Sequence, residues 1–145
     1  MGVTPETIDG YFQEYGWTFQ RPEGGRDWQT AVRCDVAVFR IAVRLTDNWV
    51  FFTMVPFVLG PRDPQCTERL YRHLLRLNRD ITLAKFALDE DGDVLLTVEL
   101  PAKDLSYETF CDAIGALTYY ADDTYVELLN LALMPGAPSR YDANG

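Results

Sequence analysis

Residues 87–98 read ALDEDGDVLLTV, with Asp89, Glu90, Asp91 and Asp93 crowded around Gly92. Such a cluster is open to three readings, a calcium loop, a catalytic acid cluster or a tight turn between strands. A helix–loop–helix calcium site needs aspartate at its first position, glycine at its sixth and glutamate at its twelfth. With Gly92 as the sixth residue, the first is Ala87 and the twelfth is Val98, so the pattern fails at both ends. The flanks decide the matter. Ala84, Phe86 and Leu88 alternate with Lys85 and Ala87, and Val94, Leu96 and Val98 recur at the same period. For those six to share one face, Leu88 must sit opposite Val94 and Phe86 opposite Leu96. A loop of Glu90, Asp91 and Gly92 satisfies this, with glycine in the left-handed position. A two-residue loop at Asp91-Gly92 would throw Leu88 onto the wrong partner.

The same parity reading extends upstream. Ile41, Val43 and Leu45 face Met54, Phe52 and Val50 if Asp47-Asn48 is the turn. The stretch 27–45 has strand character, with a bulge or turn expected near 37–39, because Val36 and Val38 fall on the other parity. The opposite face then carries Phe51, Val55 and Phe57 beside Arg40 and Arg44, which is more apolar than a water-facing sheet needs.

Helices bracket these strands. Thr4-Pro5-Glu6 is a helix start, followed by Ile8, Tyr11, Phe12 and Tyr15 at helical spacing, with Gly16 as the stop. Asp63-Pro64 opens a second helix, striped by Cys66, Leu70, Leu74 and Leu77. A third is capped at Asp104 or Ser106 and runs through Asp122-Asp123 to about Met134. The order α-β-β-β-α-β-β-α, with hairpins joining neighbouring strands, predicts a single α+β domain over residues 1–134, with an antiparallel sheet. The Pro- and Gly-bearing segment 135–145 reads as a disordered tail.

Composition narrows the function classes. Of 145 residues, 48% are hydrophobic and 13% aromatic, enough for a core without a metal or disulfide staple. Thirteen Lys+Arg stand against 22 Asp+Glu, a net charge of -9. The arginines are scattered, so no basic face for nucleic acid or anionic lipid is expected. Cys34, Cys66 and Cys111 are odd in number and widely spaced, which fits reduced thiols and a cytoplasmic location. The start MGVTPETIDGYF has no basic n-region and no apolar run, and the longest apolar stretch, 49–59, is broken by Thr53 and Pro56. No membrane span is expected.

Motifs for chemistry are sparse. There is no HExxH, phosphate loop or GxSxG, and the cysteines are too dispersed for zinc. His73 is the one histidine and reads as a surface or boundary residue. No catalytic residue, metal or cofactor is therefore expected. The remaining candidate for a ligand is the aromatic and acidic group Tyr119, Tyr120, Asp122, Asp123 and Tyr125.

YFQEYGW near the start, WVFFTMVPF, LLRLNRDI closing the second helix, KFALDEDGDVLLTVELP and ADDTYVELL together resemble the YbjN-domain family. The resemblance spans about residues 4–133 and rests on diffuse features: Asn78 after the second helix, the aspartate–glycine hairpin, and Ala121-Asp122 with Tyr125. That family shares its fold with class I type III secretion chaperones of the CesT/Tir-chaperone type. The resemblance implies a twisted five-stranded antiparallel sheet packed with helices. It also implies a small, acidic, often dimeric protein without known catalytic residues, and a loose association with sensory transduction or stress-response regulation. The two function classes set against each other are thus a non-enzymatic protein-binding module, chaperone-like or regulatory and homodimeric, and a small-ligand sensor or enzyme using the Tyr119/Asp122/Asp123/Tyr125 group.

Overall fold

A computed structural model describes residues 2–142. Helix α1 (Pro5–Tyr15) starts at Thr4, whose hydroxyl accepts from the Thr7 amide while the Thr7 hydroxyl accepts from the Thr4 amide, a reciprocal cap. Strands β1 (Asp27–Arg33), β2 (Val38–Leu45) and β3 (Trp49–Val58) follow, then α2 (Pro64–Asp80), β4 (Ala84–Leu88), β5 (Val94–Pro101) and α3 (Tyr107–Leu133). The sheet is antiparallel, five-stranded and ordered β1-β2-β3-β5-β4. This is the α+β architecture expected from the sequence, including one unbroken α3 through Asp122-Asp123. The bulge or turn expected near 37–39 is a turn slightly earlier, at 34–37, closed by the Cys34 amide on the Ala37 carbonyl at 2.9 Å, and Val38 and Phe39 are already paired in β2.

The expected registers hold. Val43 faces Phe52 and Leu45 faces Val50; Phe86 faces Leu96 and Leu88 faces Val94. Gly92 has φ 82°, and the Asp89 amide closes the loop on the Asp93 carbonyl at 2.9 Å. All three helices lie on one face of the sheet, over Trp28, Ile41, Val43, Phe52, Met54, Leu96 and Val98. Phe110 of α3 is the aromatic hub there, edge-on to Phe12 at 5.1 Å and to Phe52 at 5.6 Å between ring centroids. Trp28 is fully buried, so its indole N–H needs an acceptor. Asp9 Oδ1 supplies it at 2.7 Å and also accepts from Arg21 Nε at 3.0 Å. The Arg21 hydrogen bonds hold the Asp9 pKa below its usual value against the cost of burial.

Both sheet edges are partly closed. The side-chain amide of Asn78 donates to the Phe86 carbonyl (3.0 Å) and accepts from the Phe86 amide (2.8 Å) on the outer edge of β4. On β1, Gln20 and Gln29 exchange both backbone hydrogen bonds at 2.9 Å.

Two expectations are corrected. Phe57 is on the core side, not the open side: it is 4% exposed and lies against Phe39 and Tyr125. Met54 pairs with Leu96 and Val58 with Val94, so β3 spends four residue steps where β5 spends two, and this bulge at Val55-Pro56 resets the pleat. The tail expected to be disordered from Pro135 instead folds back along α2 and α3 over 135–142, burying Ala137. Its side chains find partners on both helices, which offsets the entropy that a Pro/Gly stretch loses on ordering. Residues 143–145 lie outside the described residues.

Two substitutions separate backbone strain from steric crowding at the hairpin. A Cβ on Gly92 meets only the Tyr71 hydroxyl at 3.7 Å, so Gly92→Ala costs the left-handed penalty alone, roughly 1 kcal/mol. A Cβ on Gly60 would stand 2.6 Å from the Gly92 carbonyl oxygen, so Gly60→Ala forces backbone apart and costs more, roughly 2–3 kcal/mol. Urea denaturation of the two variants should give that order. Asp9→Ala strands a buried indole N–H and the Arg21 guanidinium, and should lower stability by about 2–3 kcal/mol in the same assay.

Candidate functional site

The face of the sheet turned away from the helices carries cross-strand rows. One runs Asp27–Arg44–Phe51–Glu99, the next Gln29–Ala42–Thr53–Thr97–Lys85. Arg44 Nε reaches Asp27 Oδ1 at 2.8 Å, Lys85 pairs with Glu99, and Thr53 and Thr97 share a hydroxyl hydrogen bond at 2.9 Å. Charged pairs thus stand at the sides, with Ala42, Phe51, Val55 and Leu95 between them. Val55 is 40% exposed and Phe51 half-buried. Arg40 is exposed and has no ion-pair partner among the described residues. Two shallow depressions mark this side. One, of about 440 Å³, lies over Ala42, Phe51, Thr53, Val55 and Leu95. The other, of about 850 Å³, lies between Phe19–Pro22 and the Trp28, Ala42 and Arg44 positions. Of the residues predicted for a binding face, Phe51, Val55, Arg40 and Arg44 are together here, and Phe57 is not.

The predicted ligand group does not assemble. Tyr125 is turned inward, edge-on to Phe39 at 5.0 Å. Asp122 accepts from the Val36 amide at 3.2 Å, Asp123 from Arg140 at 3.0 Å, and the Tyr120 hydroxyl from the Thr82 amide at 3.1 Å. Tyr119 stands out in solvent. Helical rotation of about 100° per residue disperses consecutive side chains around the axis, so neighbours in sequence became neighbours of different elements. Asp89, Asp91 and Asp93 have carboxylate oxygens within 4.8 Å of one another. Two of the three are already engaged by backbone: Asp89 Oδ1 accepts from the Asp91 and Asp93 amides, and Asp93 Oδ1 from the Gly60 amide at 2.7 Å.

His73 differs from its expectation as a surface or boundary residue: it is 2% exposed. Its Nδ1 lies 2.7 Å from Ser139 Oγ, its Nε2 lies 3.2 Å from Glu127 Oε1, and Tyr141 meets it edge-on at 5.1 Å. The sequence held one signal for this. Position 73 falls three residues after Leu70 and four before Leu77, inside the apolar stripe of α2. Around it, Arg140 grips Glu127 through its Nε (2.7 Å) and backbone amide (2.6 Å), and Arg69 donates to the Ala137 carbonyl at 2.6 Å. Cys34, half-buried near Asp122 and Asp35, has its thiol pushed up to about 11 by burial and those carboxylates.

A family model described as "Putative bacterial sensory transduction regulator", the YbjN model, matches residues 4–129. The chain belongs to the YbjN family. Among solved structures, the YbjN chain is similar to Escherichia coli YbjN at 16% identity, with a TM-score of 0.64 over 86% of this chain and 93% of that one. It is similar to a chain of the ExsC–ExsE complex at 18% identity, with a TM-score of 0.60 over 88% and 97%. It is also similar to a chain of the Pseudomonas aeruginosa ExoU–SpcU complex from the type III secretion system, at 17% identity and a TM-score of 0.58 over 86% and 97%. These likenesses are of fold. No curated protein matches this YbjN chain in sequence. No helix among the described residues is long and apolar enough to cross a membrane.

Burial pushes the His73 pKa below 6.5, although Glu127 opposes the shift and Arg140 and Asp142 also bear on it. The folded chain then declines a proton that the unfolded chain accepts. Its stability should be fully present above about pH 6.5 and fall as pH drops below that value. Urea midpoints at pH 7.5 and 5.5 measure this fall, and His73→Gln should flatten it. An unchanged wild-type midpoint contradicts the assignment.

Proposed function

We propose that this chain is a non-enzymatic protein-binding module, chaperone-like or regulatory, that acts in the cytoplasm as a homodimer. The observation that carries this reading is the open sheet face. Phe51, Val55 and Leu95 lie on it with no helix above them among the described residues, and ion pairs border them. An apolar centre with a polar border is the anatomy of an interface rather than of a solvated sheet. The depression over Ala42, Phe51, Val55 and Leu95 is shallow and mostly apolar, unlike a small-molecule site with convergent polar groups. Relatives in fold support the same direction: the ExsC–ExsE and ExoU–SpcU structures are complexes of proteins.

The sensor or enzyme reading loses its residues, because Tyr119, Asp122, Asp123 and Tyr125 diverge. The Ser139–His73–Glu127 contact has the residue types of a nucleophile relay. Arg140 occupies both Glu127 oxygens, though, and the Ser139 hydroxyl already accepts from the Tyr141 amide at 3.1 Å, so these groups hold a peptide segment in place.

Phe51→Glu combined with Val55→Glu should leave the thermal midpoint within a few degrees of wild type, since both side chains already meet solvent. Light scattering should then show the dimer of the wild-type chain converted to monomer. A wild-type chain that is monomeric at every concentration defeats the dimer, and a dimer untouched by the two substitutions removes the sheet face from it.

A further inference from the structure

Segment 135–142 lies beyond the residues that the family model matches, yet it is recognised side chain by side chain. Ala137 is buried against the core, and its carbonyl accepts from Arg69. The Ser139 hydroxyl meets the buried imidazole of His73. Arg140 is forked between Asp123 and Glu127: Nη1 on Asp123 Oδ2 at 3.0 Å, Nη2 on the Asp123 carbonyl at 2.9 Å, Nε on Glu127. The Tyr141 hydroxyl donates to Asp80 Oδ2 at 2.8 Å, while its ring lies under the guanidinium groups of Arg76 and Arg79 and against His73. Asp142 closes the set on Arg69 at 3.2 Å.

Every anchor on the receiving side belongs to α2 or α3. Guanidinium on a pair of carboxylates, phenol under guanidinium, and hydroxyl on a buried imidazole make a chemically specific reader rather than a greasy slot. The connection to α3 is slight. Leu133, Met134, Pro135 and Gly136 are all exposed, and Gly136 turns with φ 79°. A short tether of this kind raises the local concentration of its own segment to the order of mM, which keeps an otherwise modest ligand in place.

We propose that the α2–α3 groove is a docking site for a linear segment of the form small residue–X–Ser–Arg–Tyr–Asp, occupied in the resting chain by its own residues 137–142 and open to a segment of that chemistry from another protein. The groove lies on the helical side, away from the open sheet face, so this inference does not depend on that face. Docking in trans requires the resident segment to leave, which makes residues 135–142 a competitive brake on the site.

The test uses the full chain carrying Arg140→Ala and Tyr141→Ala, which loosens the resident segment, and an end-capped fluorescent peptide, GAPSRYD. Anisotropy should show the peptide binding this variant at least tenfold more tightly than it binds the wild-type chain. A GAPSAYD peptide should bind neither. Circular dichroism establishes that the variant is folded; should it unfold, Arg140→Ala alone replaces it. Equal affinity for variant and wild type, or no binding to a folded variant, overturns the proposal, because the segment is then held by its tether and not by recognition. A wild-type dimer that Arg140→Ala converts to monomer assigns the groove to a second copy of the chain, and overturns the assignment to a foreign protein. The Phe51→Glu, Val55→Glu variant should bind as wild type does, so failure at the sheet face and failure at the groove are read separately.

Discussion

The pleat of β3 is the constraint on which the molecule turns. This strand lies at the centre of the sheet order and sends Val50, Phe52 and Met54 into the core with no exposed surface left. Alternation then obliges Phe51, Thr53 and Val55 to face the other way. Helices can cover one side only with the three α-helices present, so burying one set leaves the other uncovered. The apolar open face is the geometric complement of the core.

Where that parity breaks, the consequences reach far along the chain. Two extra steps at Val55-Pro56 bring Phe57 inward and let it join Phe39, Phe86 and Tyr125 in one aromatic group. Tyr125, beside the buried positions Ala121, Thr124 and Leu128 of α3, meets that group from the helix side. The bulge thus removes one residue from the expected binding face, and the phase of α3 removes another from the expected ligand group. The polar members of that group, Asp122 and Asp123, serve Val36 and Arg140.

What could be read in advance follows the same division. Hairpin registers were legible because turn length and alternation are local: Leu88 against Val94 is dictated within seven residues. Helix starts were legible for the same reason, as the Thr4 and Ser106 caps show. The bulge was not legible, because Phe57 is apolar on either face and only its distant partner strand decides. Nor was the 135–142 segment. Its composition is that of a linker, and the groups that hold it come from α2 and α3, up to 73 positions away in the case of Arg69 and Asp142. His73 was half-legible: the helical stripe placed it inward, while its polarity argued outward until Ser139 supplied a hydrogen-bond partner and Glu127 a carboxylate beside the ring.

Asn78 has a reach beyond its two hydrogen bonds. Its amide presents to β4 the same donor and acceptor that a sixth strand would present, at Phe86. A side chain therefore stands in for a neighbour, and the sheet stops where it is. On the opposite border Gln20 does the same with its backbone. The chain in this way counts its own strands: the number five is written into residues at the margins as well as in the strands themselves. Association with any other molecule is steered away from edge-to-edge addition at these two points and towards the broad surfaces of the sheet and the helices.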